Sequence, residues 1–306
     1  MPKSFYVVDA FTAEPFAGNP AAIVLDAAGL TDRRMQQVAA EFNLSETTFV
    51  LPAERPMPGR LSLRFRWFTP MTEAAMCGHA TVAGVHALLE AGRLTCPEGD
   101  NLTVHIETRS GPLTAFVEHM PGEPSNQLIW LELRPPELTS HSIDAQKWAA
   151  ALRIPGDAFD PGLPSARTQD QDLLAFVNDV VVLNAARPDF GALSDLLTGD
   201  GLRGICLATV RTLTPSIAVQ SRFFAPPAGI DEDPVTGSVH GPLALYLVEQ
   251  GIVPVREGLA GMMCGQGKAG GRAGVIYALL EQRPGQARTV RIGGQSVTTA
   301  KGTLLD

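Results

Sequence analysis

Arg66-Trp67-Phe68-Thr69-Pro70, then Cys77-Gly78-His79, then an apolar run closing on Glu90-Ala91-Gly92, is a stretch that occurs twice in this chain. It returns as Arg222-Phe223-Phe224-Ala225-Pro226, Thr236-Gly237-Ser238 and a run closing on Glu249-Gln250-Gly251. Counted from the pivot glycines Gly78 and Gly237, Glu follows twelve residues on and Gly fourteen on in both copies. The next segments also correspond: Thr108-Arg109-Ser110-Gly111-Pro112-Leu113 and Lys268-Ala269-Gly270-Gly271-Arg272 each lead into a strand-like run. A repeat of this length predicts two similar lobes. The surrounding strands read as mixed, mostly antiparallel pieces and not as a regular strand–helix alternation. The expected fold class is therefore α+β, with two pseudo-symmetric lobes, each a sheet wrapped around a central helix.

The repeated device is a helix start. Residues 79–91 and 238–250 are mostly Ala, Val, Leu and small side chains, and each run ends at a glycine placed like a C-terminal cap. Neither has a convincing polar face, and a helix apolar nearly all round is buried. At about 13 residues each run is too short to span a bilayer. Pro242 is expected in the first turn, where its missing N–H costs least. The glycine ahead of each helix lets a ligand approach free backbone N–H groups at the positive end of the helix dipole. Two such ends facing one cleft would hold a carboxylate or steady an enolate. One copy alone would be an ordinary buried helix; a duplicated pair with polar His79 and Ser238 at the starts points to function.

At 306 residues there is room for two domains with sizeable cores. The net charge of −8 and the lack of a Lys/Arg cluster exclude a polyanion-binding surface, so no nucleic-acid partner is expected. No membrane partner is expected either, because no apolar run reaches spanning length. The N-terminal residues, with acids and prolines, read as a first strand and not as a signal peptide. Cys77, Cys96, Cys206 and Cys264 lack CxxC spacing and are too few for a disulfide scaffold, which fits a cytoplasmic protein. The six histidines show no metal-ligand spacing, so no metal is expected.

Along the chain, strands are expected over 4–11, 21–25, 47–51, 61–68 and near 102–107 and 113–118, with a helix capped by Thr31-Asp32 and running to about Phe42. Pro121-Gly122-Glu123-Pro124 is the clearest linker signal. The first lobe is accordingly placed at 1–122 and the second at 123–306, with the last strand open to returning to the first lobe. In the second lobe, strands are expected over 127–133, 180–183, 204–210, 217–224, 274–281, 288–292 and 295–299, with a helix near 189–197. Residues 154–171 read as loop.

Several residues can carry chemistry. Glu46 stands just ahead of a strand, where acids are usually solvated, but Leu44, Thr47, Thr48 and Phe49 around it are not a charged surface. His79 opens a buried helix, whose N-terminal dipole disfavours the imidazolium. Asp231, Glu232 and Asp233 lead into the second helix start, where one acid could orient His79. Cys77 has Thr236 as its counterpart, so a symmetric two-thiol racemase is not available. No GxSxG motif or trusted Ser-His-Asp ordering supports a serine hydrolase.

Asp9-Ala10-Phe11 with Phe16-x-Gly18-Asn19-Pro20, Ser45-Glu46-Thr47, Thr69-Pro70 with Cys77-Gly78-His79-Ala80-Thr81, and Glu232-Asp233-Pro234-Val235-Thr236-Gly237-Ser238 together resemble the PhzF-like family, in order, from about residue 5 to residue 302. That family shares a fold superfamily with diaminopimelate epimerase and proline racemase. The resemblance implies the two-lobed fold, an isomerase, and cofactor-free proton transfer in an interlobe cleft. It implies Glu46 as the acid–base, with His79 and Asp233 also catalytic. Ser238 and, by looser analogy with the epimerases, Asn19 are implied at the substrate, where the helix starts themselves place Gly78 and Gly237. The expected partner is a small carboxylate-bearing metabolite; a homodimer stays open. The expected activity is an intramolecular proton shift. An epimerase, or a non-catalytic binder that keeps the fold, are the alternatives.

Overall fold

Two helices of the same length organise the chain: α2 (Gly78–Glu90) and α6 (Gly237–Glu249). In the computed structural model, which describes residues 3–120, 123–268, 270–283, 285 and 288–305, the chain divides into two compact units. One comprises Met1–Glu132 and Gly293–Asp306, the other Leu133–Ile292. The expected boundary at Pro121-Gly122 lies outside the described residues.

The first unit runs β1 (Lys3–Ala10), β2 (Asn19–Val24), α1 (Asp32–Phe42), β3 (Glu46–Pro52), β4 (Ser62–Phe68), β5 (Glu73–Ala74), α2, β6 (Leu102–Thr108), β7 (Gly111–Met120) and β8 (Glu123–Leu133). The second runs β9 (Leu138–Ser140), α3 (Ala145–Leu152), β10 (Ala166–Thr168), β11 (Asp172–Phe176), α4 (Val180–Ala185), α5 (Phe190–Gly199), β12 (Gly204–Thr209), β13 (Ile217–Ala225), β14 (Ile230–Asp233), α6, β15 (Leu259–Gly267), β16 (Ala273–Glu281) and β17 (Thr289–Gly294). The last strand, β18 (Ser296–Leu304), pairs antiparallel with β1.

The pairing pattern is the same in both units. From β18 the order is β1, β2, β3, β4, β6, β7, antiparallel except for the parallel steps β2–β3 and β4–β6. From β9 the order is β10, β11, β12, β13, β15, β16, with the parallel steps again at β11–β12 and β13–β15. Parallel neighbours need a crossover, and the crossovers are supplied by α1 and α2 in one unit and by α4, α5 and α6 in the other.

Each central helix is apolar on every side and is enclosed accordingly. In α2, residues 79–85 are all buried, and in α6 only Ser238, Val248 and Glu249 are not. Both end the same way: Gly92 (φ 67°) and Gly251 (φ 71°) take the left-handed conformation that a side chain resists. Beyond them Arg93 N–H donates to Leu88 O, and Ile252 N–H to Leu247 O.

Three local expectations need correction. Pro242 is the sixth residue of α6 and so lies in its second turn, where it withholds the bond that the Ser238 carbonyl would otherwise accept. Residues 180–183 belong to helix α4, not to a strand. Their β-branched side chains suggested extension, but Asp179 caps the turn, its carboxylate accepting from Val182 N–H at 2.9 Å. The expected loop at 154–171 contains β10, and β11 and β15 were not anticipated.

Close packing fixes α2 against its sheet at Gly84. A Cβ there would stand 2.7 Å from Cε2 of the fully buried Phe65. Gly84→Ala is expected to destabilise the protein by about 1–3 kcal/mol through overpacking, read as a lower urea midpoint; an unchanged or higher midpoint would contradict the close approach.

Candidate active site

The first helix start gathers four side chains. Glu46 is the first residue of β3, held in parallel register beside Ala21 of β2. His79 is the second residue of α2 and is buried. Its Nε2 lies 3.3 Å from Ser45 Oγ and 3.3 Å from Glu46 Oε2, and its Nδ1 lies 3.4 Å from Cys77 Sγ. The contact with Glu46 has the distance of a hydrogen bond without the alignment, and Oε2 is a buried oxygen that accepts no hydrogen bond among the described residues. Burial pushes the Glu46 carboxyl above its ordinary value, while the Ser45 and Cys77 side chains beside it pull it part of the way back. The result is a carboxyl suited to both taking and giving a proton.

Glu46, Cys77 and His79 offer ligand atoms within 4.8 Å of one another, a donor set a soft divalent cation accepts. The thiol and the carboxylate flank different nitrogens of the His79 ring.

Asn19 opens β2 and is fully buried. The turn before it is tight: a Cβ on Gly18 (φ 59°) would stand 2.2 Å from Ala10 O, and Asp9 accepts from Phe16 N–H at 2.7 Å. Gly78 and Gly237 are the first residues of α2 and α6.

The second helix start is built from the other unit. Asp233 ends β14, and its Oδ2 accepts from Thr236 Oγ1 at 2.5 Å. Gln266, fully buried on β15, braces this turn by donating to Asp233 O (2.8 Å) and accepting from Thr236 N–H (2.8 Å). Ser238 Oγ lies 3.4 Å from Arg203 Nη2. Of the three neighbouring acids, Asp231 is exposed, Glu232 is paired with Arg222, and Asp233 accepts from Thr236.

A duplicated arginine frames both starts. Arg66 pairs with Glu73 through two bonds (2.8 and 2.9 Å) and lies over the Phe68 ring. Arg222 pairs with Glu232 through two bonds (2.7 and 2.8 Å) and lies over the Phe224 ring. Each clamp ties the strand before the helix start to its neighbour, with Trp67 opposite Ala74 in one copy and Phe223 opposite Asp233 in the other. The repeat places both arginines in register; their role needed the structure, as did those of Gln266 and Arg203.

Residues 8–302 match the phenazine biosynthesis-like protein family, PhzC-PhzF. The chain belongs to this family. An uncharacterised isomerase of Clostridium acetobutylicum is 31% identical over 99% of this chain and 98% of its own length. The trans-2,3-dihydro-3-hydroxyanthranilate isomerase of Pseudomonas aeruginosa is 30% identical over 97% of this chain and 98% of its own. A crystal structure of a Bacillus anthracis phenazine biosynthesis protein of the PhzF family superposes with a TM-score of 0.88 at 26% identity, covering both chains fully. A hydroxyproline epimerase from Agrobacterium vitis shares the fold, with a TM-score of 0.62 at 15% identity over 99% of this chain and 92% of its own. The α+β, epimerase-like fold and the isomerase class expected from the sequence agree with this PhzF-family membership. No helix among the described residues is long and apolar enough to cross a membrane.

The clamps differ in what else the arginine holds: Arg222 Nη1 also donates to the buried carbonyls of Leu183 and Ala186, at 3.1 and 2.8 Å. Removing Arg222 strands those carbonyls as well as Glu232. Arg222→Ala is therefore expected to lose about 3–5 kcal/mol, and Arg66→Ala less. Urea unfolding of both variants checks the order; equal or reversed losses would contradict it.

Proposed function

We propose that this PhzF-family isomerase moves a proton within a small carboxylate-bearing metabolite without a cofactor, and that Glu46 is its single acid–base. The observation that carries this reading is the buried Glu46 carboxyl, raised by desolvation and set against His79, Ser45 and Cys77 at a helix start. In the first step the Glu46 carboxylate takes a proton from carbon, and the electron pair left behind delocalises toward the substrate carbonyl or carboxylate. In the second, protonated Glu46 returns the proton to another carbon on the same face. His79 and the N–H groups at Gly78 and Gly237 steady the developing charge, a contribution of roughly 10²–10³ in rate for each well-placed donor. Asp233, Ser238 and Asn19 orient the substrate.

The relative named for trans-2,3-dihydro-3-hydroxyanthranilate suggests that compound as the first substrate to offer. Proton NMR in D₂O should show isomerisation with the wild type and a fall of about 10²–10⁴ with Glu46→Gln, ligand binding changing little. Exchange at the wild-type rate in Glu46→Gln would remove Glu46 from the mechanism. Because the reaction starts from the carboxylate, kcat/KM should fall as pH drops through the raised Glu46 value.

Cys77 supports a second reading, an epimerase with a thiol base, because its sulfur lies against His79 and Glu46. Under the isomerase reading, Cys77→Ala keeps most activity. Since the thiol pulls the Glu46 value down, the pH–rate midpoint should also move upward. A thousandfold loss with folding intact, or inversion of a stereocentre by the wild type, would favour the epimerase.

A further inference from the structure

The strand registers extend the repeat to residues that the sequence does not visibly align. Thr47 sits opposite Phe68, and Ile205 sits opposite Phe224. Phe68 and Phe224 are repeat partners, so Glu46 corresponds to Gly204 and Ser45 to Arg203. The parallel registers Ala21–Glu46 and Asp172–Gly204 then match Ala21 with Asp172. His79 and Ser238 correspond as the residues after the pivot glycines. One contact is therefore duplicated: Ser45 Oγ to His79 Nε2 in the first copy, Arg203 Nη2 to Ser238 Oγ in the second. The residue types have diverged. Where the first copy holds a proton-transfer group, the second holds a guanidinium.

Arg203 is fixed in a way that leaves part of it free. Its Nε and Nη2 pair with Asp172 at 2.9 and 2.5 Å, and Asp172 is 1% exposed. Its guanidinium carbon lies 5.7 Å from the centre of the Phe223 ring. The Arg203 side chain itself is 42% exposed. Nη1 has no hydrogen-bond partner among the described residues, and the second N–H of Nη2 reaches only Ser238 Oγ, at the long distance of 3.4 Å, beside the start of α6. An arginine held at one edge by a buried carboxylate is preorganised, and a second carboxylate that takes Nη1 and displaces the long Ser238 contact would meet it as a fork.

We propose that Arg203 binds the substrate carboxylate. The proposal rests on the isomerase reading for the identity of the site, but it is tested by binding alone. The probes are 3-hydroxyanthranilate and 2-aminophenol, the same ring without the carboxylate, titrated by calorimetry. The wild type should prefer the carboxylate by about tenfold or more, as a hydrogen bond between charged groups requires. Arg203→Gln should bring the two affinities within a few-fold by weakening only the carboxylate probe. Arg203→Lys, which keeps the charge against Asp172 and loses the fork, should be intermediate and covers the case in which Arg203→Gln does not fold. Glu46→Gln should keep the full preference, so a failed acid–base assignment and a failed carboxylate site give different results. No preference in the wild type, or a preference undiminished in the Arg203 variants, would overturn the proposal.

Discussion

A helix with no polar face has to be enclosed, and enclosing it leaves its ends as the places where anything else can reach its backbone. Both α2 and α6 are under this constraint. Their C-terminal ends are closed by left-handed glycines, and their N-terminal ends open on glycine. Neither start has a side-chain cap, so the first N–H groups are left to other partners. A side chain in the following turn secures each start from within: Thr81 Oγ1 donates to Cys77 O, and His240 Nδ1 lies 2.7 Å from Thr236 O. Burial lowers His240 to about 4, so it is neutral and its Nδ1 is the donor to that carbonyl. The residues that could do chemistry collect at these two starts.

Duplication also explains how one architecture could support two tasks. The arginine clamps, the strand registers and the helix caps are common to both copies, whereas the positions around each start have diverged. Glu46 answers to Gly204, Ser45 to Arg203 and His79 to Ser238. In the first unit desolvation raises a carboxyl. In the second, the Asp172 carboxyl is also pushed up by burial, but Arg203 pulls it back, and the pair stays together. The same scaffold therefore carries a raised carboxyl at the helix start of one unit and a half-exposed guanidinium at that of the other.

Much of this was legible in the sequence because the repeat is local: the pivot glycines, the capping glycines and Glu46 within Ser-Glu-Thr all lie in short readable motifs. The residues that stayed hidden depend on register. Arg203 lies in Leu202-Arg203-Gly204, which resembles nothing in the first copy until β12 is aligned with β3. Gln266 lies in β15, whose Met, Gly, Cys and Gln residues do not advertise a strand. Val180–Leu183 misled in the opposite direction, since three β-branched residues outweighed the Asp179 cap. The helix starts could be read from spacing, but their supporting side chains required the strand pairings.

The central claim is that desolvation at the start of β3 prepares Glu46 to carry the proton, and a direct titration of that carboxyl tests it. Side-chain ¹³C NMR of glutamate-labelled protein, with the Glu46 signal assigned by its absence in Glu46→Gln, reads the ionisation without a substrate. A midpoint clearly above the ordinary glutamate value of about 4.3, moving higher still in Ser45→Ala, is the expected result. A midpoint at or below the ordinary value would contradict it, because such a carboxyl would be ionised and solvated like any surface acid.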